Sequence, residues 1–230
     1  MRAVIAALLT LGLAACEPPT DAAFGAKVRA YLLENPEVLQ EAYEKLQEKQ
    51  QAEALKASAT ALKENRKLLE NDARDHVVNP DGKVTVVEFL DYNCGYCKLV
   101  APEVVELARD PNVRLVFKDM TIFGEASEYA AAASRQASGA KYLALHEAFM
   151  AQKPLDQAAV DRILTAQGLS PAAAKARLTS PEQQKYLEDQ QKLAAALGIQ
   201  GTPAFIVGDV LIPGADAEAL KAAVAEAKKG

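Results

Sequence analysis

The chain has 230 residues, half of them hydrophobic and a quarter charged, with a formal net charge of -5. That length buries a proper core in one or two domains, and the composition is that of a soluble globular protein. The acidic balance, with no run of basic residues, excludes a general nucleic-acid binder, which needs a basic face.

The first sixteen residues read MRAVIAALLTLGLAAC. One early charge at Arg2 precedes an apolar stretch, Ala3 to Leu13, that is too short to span a bilayer as a mature helix. This pattern predicts an export signal over residues 1–15. Its end, Leu13-Ala14-Ala15-Cys16, resembles the lipobox of bacterial lipoproteins, which implies cleavage before Cys16 and a lipid on its thiol. The alternative is an ordinary signal peptide that ends near a cysteine. A lipid anchor at Cys16 would account for the odd cysteine in an exported chain with three, leaving Cys94 and Cys97 as a pair in an oxidising compartment.

Residues 16–76 read as a helical segment. Phe24, Val28, Tyr31 and Leu32 share one face, and Asn35-Pro36 is expected to be an N-cap followed by proline at the first helical position. Leu32, Leu39 and Leu46 recur at sevenfold spacing, as do Leu55, Leu62 and Leu69. The step from Leu46 to Leu55 shifts the stripe to another face across the polar run QEKQQAE, which predicts a weak point between two helical pieces. So narrow a seam must meet a partner, either the neighbouring domain or the same segment of another chain, and self-association is the preferred expectation.

From Val77 the pattern changes. VV-NPDG-KVTVVEFLD predicts a strand, a turn and a buried strand. A helix follows from about Cys94 to Arg109, and VRLVF (113–117) is the next strand. A long alanine-rich helical block runs over about 125–197, punctuated by glycines and prolines. AFIVG and DVLIPG predict a hairpin turning at Gly208-Asp209, and a last helix starts at Asp216. The order is βαβ, a helical block, then ββα, without internal repeats.

The chemistry centres on EFLDYNCGYCKLVAP (88–102). A disulfide closing so short a loop constrains the unfolded chain very little, so a structural staple is a poor account of Cys94 and Cys97. A structural zinc site needs four ligands, and neither His76 nor His146 sits in a second ligand pair. Copper(I) can use two thiolates, which keeps a metal-handling reading open. A redox pair explains more. A helix starting at Cys94 places unpaired N–H groups and a positive dipole end beside its sulfur, stabilising a thiolate exposed at the tip. Cys94 is then the nucleophile, and Cys97, one turn in, the resolving thiol.

CGYCKLVAP, with Pro102 inside the helix, resembles the thioredoxin superfamily, and the long helical insertion is similar to its DsbA branch. DYNCGYCK, GTPAFIVG and the added N-terminal helices together resemble the ScsC (suppressor of copper sensitivity) group of periplasmic thiol–disulfide proteins. The implied fold is α/β: a thioredoxin domain over 77–230 with a helical insertion, preceded by an N-terminal oligomerisation segment. The resemblance places Pro203 in a cis-proline loop facing the cysteines, with Thr202 tuning them and the loop's backbone pairing with substrate. It places Glu88, a carboxylate inside an apolar strand, beneath the pair as a proton relay for Cys97. Apart from the resemblance, Lys118 at the end of the next strand is a candidate to offset its charge. The alternative for Glu88 is a strand edge open to water. Gly95-Tyr96 lacks the Pro-His of strongly oxidising DsbA proteins, which implies a milder pair. Lys98 stands where relatives have histidine. Met120-Thr121-Ile122 replaces a proline, leaving the shape of that loop open. Tyr92 and Tyr96 are expected to form an apolar rim for unfolded substrate.

The resemblance therefore implies a periplasmic disulfide isomerase or reductase without a bound cofactor, acting on unfolded or misoxidised exported proteins. It also implies a homo-oligomer, a trimer by preference, with a membrane thiol reductase as electron donor. The rivals are a monomeric DsbA-type oxidase and, from another class, a copper(I)-binding protein that uses the cysteine pair.

Overall fold

In a computed structural model, residues 22–229 are described, and the chain divides into two compact units, 1–52 and 53–230. The signal-peptide and Cys16 expectations lie outside the described residues.

The first unit consists, where described, of α1 (Ala22–Glu34) and the beginning of α2 (Glu37–Glu70). Two expectations are corrected here. QEKQQAE lies inside α2 without a break, because its residues are good helix formers and nothing in the run is glycine or proline. Asn35 does not cap α2: its side-chain Nδ2 donates to the Tyr31 carbonyl at 2.9 Å, so it closes the end of α1 instead. Val28, Tyr31, Leu33, Leu39, Tyr43 and Leu46 are all exposed, an apolar surface that their own unit leaves open.

The second unit is built on a five-stranded sheet in the order β1-β3-β2-β4-β5. Its strands are β1 (His76–Val78), β2 (Val84–Leu90), β3 (Val113–Asp119), β4 (Ala204–Val207) and β5 (Val210–Pro213). β2 and β3 are parallel and joined through α3 (Gly95–Ala108), while the other neighbours pair antiparallel. The expected hairpin turns at Gly208, whose φ of 59° suits a residue without Cβ. The helical block resolves into α4 (Glu125–Ser134), α5 (Gly139–Met150), α6 (Gln157–Ala166), α7 (Pro171–Leu178) and α8 (Pro181–Ala196), with α9 (Ala217–Ala227) at the end. Ser170 and Ser180 each accept a bond from the N–H three residues on, and proline follows each at the first helical position.

Period-2 alternation divides the sheet's residues between two cores. Val84, Val86 and Leu90 of β2 and Val113, Leu115 and Phe117 of β3 face a core shared with α3, α5 and α9. Val87, Phe89 and Val116 face the other way, onto Leu193 and Leu197. Leu62 and Leu69 of α2 also pack there, each stabilising the fold by about 2 kcal/mol. Leu62 and Leu69 of the sevenfold stripe are therefore satisfied by the neighbouring sheet, whereas Leu39 and Leu46 remain exposed.

Candidate active site

Cys94 occupies the N-cap of α3 with extended backbone (φ -70°, ψ 121°), and Cys97 lies one turn further in, fully buried. Cys94 is not exposed as the sequence suggested: it is only 2 % accessible. The loop before β4 lies against its sulfur, and the Cys94 thiol donates to the Thr202 carbonyl at 3.1 Å. The Thr202–Pro203 peptide bond is cis. The Thr202 hydroxyl is buried, has no hydrogen-bond partner among the described residues and is placed to donate to a Cys94 thiolate.

The two thiols differ sharply in acidity. Cys94 is lowered to about 5, first by the hydrogen bond from the Cys97 thiol. Burial opposes this, and the Thr202 side chain and the first-turn N–H groups of Cys97 and Tyr96 add to the lowering. Cys97 is pushed far up by burial, then by its bond to Cys94 and by the charge of Glu88. A helix start therefore converts two identical side chains into one nucleophile at neutral pH and one held proton.

Glu88 is 1 % accessible, and neither carboxyl oxygen has a hydrogen-bond partner among the described residues. Burial, then the Cys94 charge, pushes it up to about 8. Opposite Phe117 on β3 and Phe205 on β4, it sits mid-sheet and not at a water-exposed edge. Lys118 does not neutralise it. Phe89, not Glu88, is the cross-strand partner of Lys118, and alternation sends the two charges to opposite faces.

Tyr92 is corrected as well. Instead of a rim it forms core, packed edge-on against His146 and Phe149, its hydroxyl 3.1 Å from that of Tyr142. Tyr96 and Gly95 are exposed at the head of α3, and nothing lies within 4 Å of where a Gly95 Cβ would stand. Lys98 is half-buried, its Nζ donating to the Gln152 carbonyl at 2.5 Å, and burial lowers its pKa. His76 and His146 are buried and held neutral by burial, His146 lowered to about 4. His76 meets the Ser134 hydroxyl at 3.1 Å. Among the described residues no group of three or more His, Cys, Asp or Glu side chains converges, so a metal on the pair would find two thiolates as its donors.

Sequence reasoning missed the two residues that fasten this turn. The Asp91 carboxylate is buried and accepts from the N–H of Asn93 at 2.7 Å and the Ser127 hydroxyl at 2.6 Å. Its other oxygen accepts from the N–H groups of Ile122 and Phe123. The Asn93 side chain both donates to and accepts from the Leu155 backbone, at 3.2 Å each way. The signal was present: short Asp and Asn side chains between a strand and a helix are suited to bonding nearby backbone.

With the geometry established, the Thioredoxin family profile matches residues 70–226. This chain belongs to the thioredoxin family. A second profile, described as the copper resistance protein ScsC N-terminal domain, matches residues 21–53. Among solved structures, a thioredoxin-like oxidoreductase from Silicibacter pomeroyi is 40% identical, with 72% of this chain and 99% of that one covered and a TM-score of 0.65. A linker-deletion mutant of Proteus mirabilis ScsC is 30% identical over 95% of this chain and 99% of its own, at a TM-score of 0.68. A periplasmic thioredoxin-like protein from Salmonella enterica serovar Typhimurium is 30% identical over 72% and 96%, at 0.63. No curated protein matches. This thioredoxin-family chain thus combines the thioredoxin domain with an ScsC-type N-terminal segment, and its neighbours include a thioredoxin-like oxidoreductase and ScsC itself.

Proposed function

We propose that this protein is an exported thiol–disulfide oxidoreductase that rearranges or reduces wrong disulfides in other exported proteins through Cys94. The observation that carries this reading is the split pair: Cys94 lowered to about 5 at the head of α3, Cys97 pushed up behind it, and the unpartnered Glu88 within electrostatic reach.

The Cys94 thiolate attacks one sulfur of a substrate disulfide, forming a mixed disulfide and expelling the other sulfur as a thiolate. That step removes the charge on Cys94 which had helped hold the Glu88 proton. The Glu88 pKa then falls, Glu88 gives its proton to the expelled substrate thiolate, and the carboxylate so formed takes the proton of Cys97. Cys97 attacks Cys94 Sγ, the Cys94–Cys97 disulfide forms, and the second substrate thiolate leaves. The substrate gains two electrons and the pair loses two, which a membrane thiol reductase would restore. In isomerisation the first expelled substrate thiolate, or another of the same protein, displaces Cys94 instead, and no net electrons move. Thr202 steadies the Cys94 thiolate from the loop side, and the Pro203 loop offers backbone to an extended substrate.

A Cys94 at about 5 lies between the ~3.5 of a strong oxidant and the ~7 of thioredoxin. This supports a milder pair than that of a DsbA-type oxidase. The exposed apolar surface of the first unit, together with the ScsC-type match over the same residues, supports self-association, with a trimer as the preferred state. Several active sites around one cleft favour isomerisation. Export to the periplasm, with lipid attachment at Cys16, completes the reading.

The test uses the chain from position 16 with Cys16→Ser, and the same chain carrying Leu39→Asp, Tyr43→Asp and Leu46→Asp. Reactivation of a scrambled-disulfide protein and sedimentation mass are measured for both. The expected result is an oligomer that reactivates, and a monomeric variant that still exchanges disulfides but no longer reactivates. Equal failure of both on the scrambled protein would hand the reading to an oxidase or a dedicated reductant.

A further inference from the structure

We propose that Asp91 is a positioning residue of the exchange reaction, and that it acts through the loop carrying Ile122 and Phe123. The inference rests on the function proposed above and specifies which polypeptides the site prefers: those with apolar residues beside the disulfide.

The topology brings the two segments together. β2 and β3 run parallel with Leu90 opposite Asp119, so the turn to Cys94 and the loop to α4 leave the same end of the sheet. One carboxylate then joins them. Asp91 Oδ1 accepts from Asn93 N and Ser127 Oγ, while Oδ2 accepts from Ile122 N at 2.8 Å and Phe123 N at 3.0 Å. The Asp91 carbonyl accepts from Cys94 N at 3.1 Å. Side chain and main chain of a single residue thus hold the nucleophile's turn and the neighbouring loop in one relation.

What the loop presents is unusual for a segment so tightly held. Ile122 and Phe123 are 45% and 53% exposed, so about half of each residue stays open while their N–H groups are fixed by charge-assisted bonds. A fixed backbone with unfilled apolar side chains is a preorganised contact, because ordering cost is met before the partner arrives. The occupant that fits is the stretch of chain flanking the disulfide under attack, since any polypeptide whose sulfur reaches Cys94 must pass this end of the sheet. Only a carboxylate serves here. Four donors converge on two oxygens, and an amide would turn an NH2 group against two of them.

The experiment compares the full chain, Asp91→Asn, the surface variant Ile122→Ser/Phe123→Ser, and the triple combination. Each reacts with oxidised glutathione and with two peptide disulfides of equal length, one flanked by apolar residues and one by serine and glycine. The readout is the ratio of kcat/KM on the apolar peptide to that on glutathione. Asp91→Asn is expected to lower this ratio about tenfold, mainly through KM, and the surface variant to lower it similarly. Asp91→Asn should add nothing further to the ratio in the triple variant, since both changes remove one contact.

Equal slowing of all three disulfides by Asp91→Asn would mean a disturbed Cys94 turn and overturn the proposal. So would additive effects in the triple variant. If Asp91→Asn does not fold, the surface variant decides alone: an unchanged preference for the apolar peptide overturns the proposal, and a lost preference supports it. An unaltered protein that exchanges with none of the three disulfides overturns the function proposed above and this inference with it.

Discussion

Two ionisable side chains lie fully buried in neighbouring strands of one sheet, yet their surroundings are opposite. Lys118 of β3 points to the α2 and α8 side, where its Nζ donates to Asp75 Oδ2 at 2.5 Å and to the Leu68 carbonyl at 2.6 Å. Asp75 in turn accepts from the Tyr186 hydroxyl at 3.2 Å. Glu88 of β2 points the other way and has no hydrogen-bond partner among the described residues. Burial opposes charge in both, lowering Lys118 and raising Glu88. Only Lys118 is compensated, and it fastens the last turn of α2 to the sheet. A buried charge with its bonds filled acts as a structural tie, and one left unfilled beside a thiol is available for proton chemistry.

The largest expected effect comes from breaking the filled side. Lys118→Met leaves the buried Asp75 uncompensated and releases the Leu68 carbonyl, at a cost of about 3–5 kcal/mol. A chemical denaturation curve should show it, while exchange by the folded fraction at Cys94 is retained. Breaking the unfilled side should do the reverse. Glu88→Gln should slow attack of Cys97 on the mixed disulfide about a hundredfold, read as a longer-lived mixed disulfide after rapid mixing. A variant that resolves as fast as the unaltered protein would remove Glu88 from the mechanism.

The pH dependence sharpens the same contrast. Glu88, ordinarily near 4.5, is held at about 8, so the stability it contributes is complete below pH 4.5 and lost as pH rises to 8. Cys94, ordinarily near 9.0, is held at about 5, so its contribution is present above pH 9.0 and lost as pH falls to 5. In the dithiol form the two trends oppose each other between pH 5 and 8. Glu88→Gln removes one of them, and its Tm relative to the unaltered dithiol protein should climb across that window. A difference that stays flat with pH would contradict the buried, raised carboxyl. The smallest effect belongs to Tyr186→Phe, which deletes one donor to Asp75 and should cost about 1 kcal/mol without changing the exchange rate.

Much of the fold and of the site is legible in the sequence. The buried strand VTVVEFL, the start of α3 at Cys94 and the start of the last helix at Asp216 are local, and local rules read them. Tyr92 is misplaced by those rules because its burial depends on His146 and Phe149 of α5, which come more than fifty residues later. The helix break expected at QEKQQAE fails for another reason, although the boundary between the two units falls in this run: a change of apolar stripe alters which face is covered, and the backbone ladder is indifferent to that.

The sequence by itself determined the order of elements, the place of the cysteine pair at a strand-to-helix step and the presence of a carboxylate inside an apolar strand. Each is written in spacing and period within a few residues. Only the tertiary structure decided that Lys118 belongs to Asp75 and not to Glu88, that the Thr202 loop lies over Cys94, and that Asp91 joins the cysteine turn to residues 122–127. Those are contacts between segments distant in the chain, set by which face of the sheet a side chain leaves and which loop arrives at the same end. No spacing rule carries that information, because it exists only once the strands have paired.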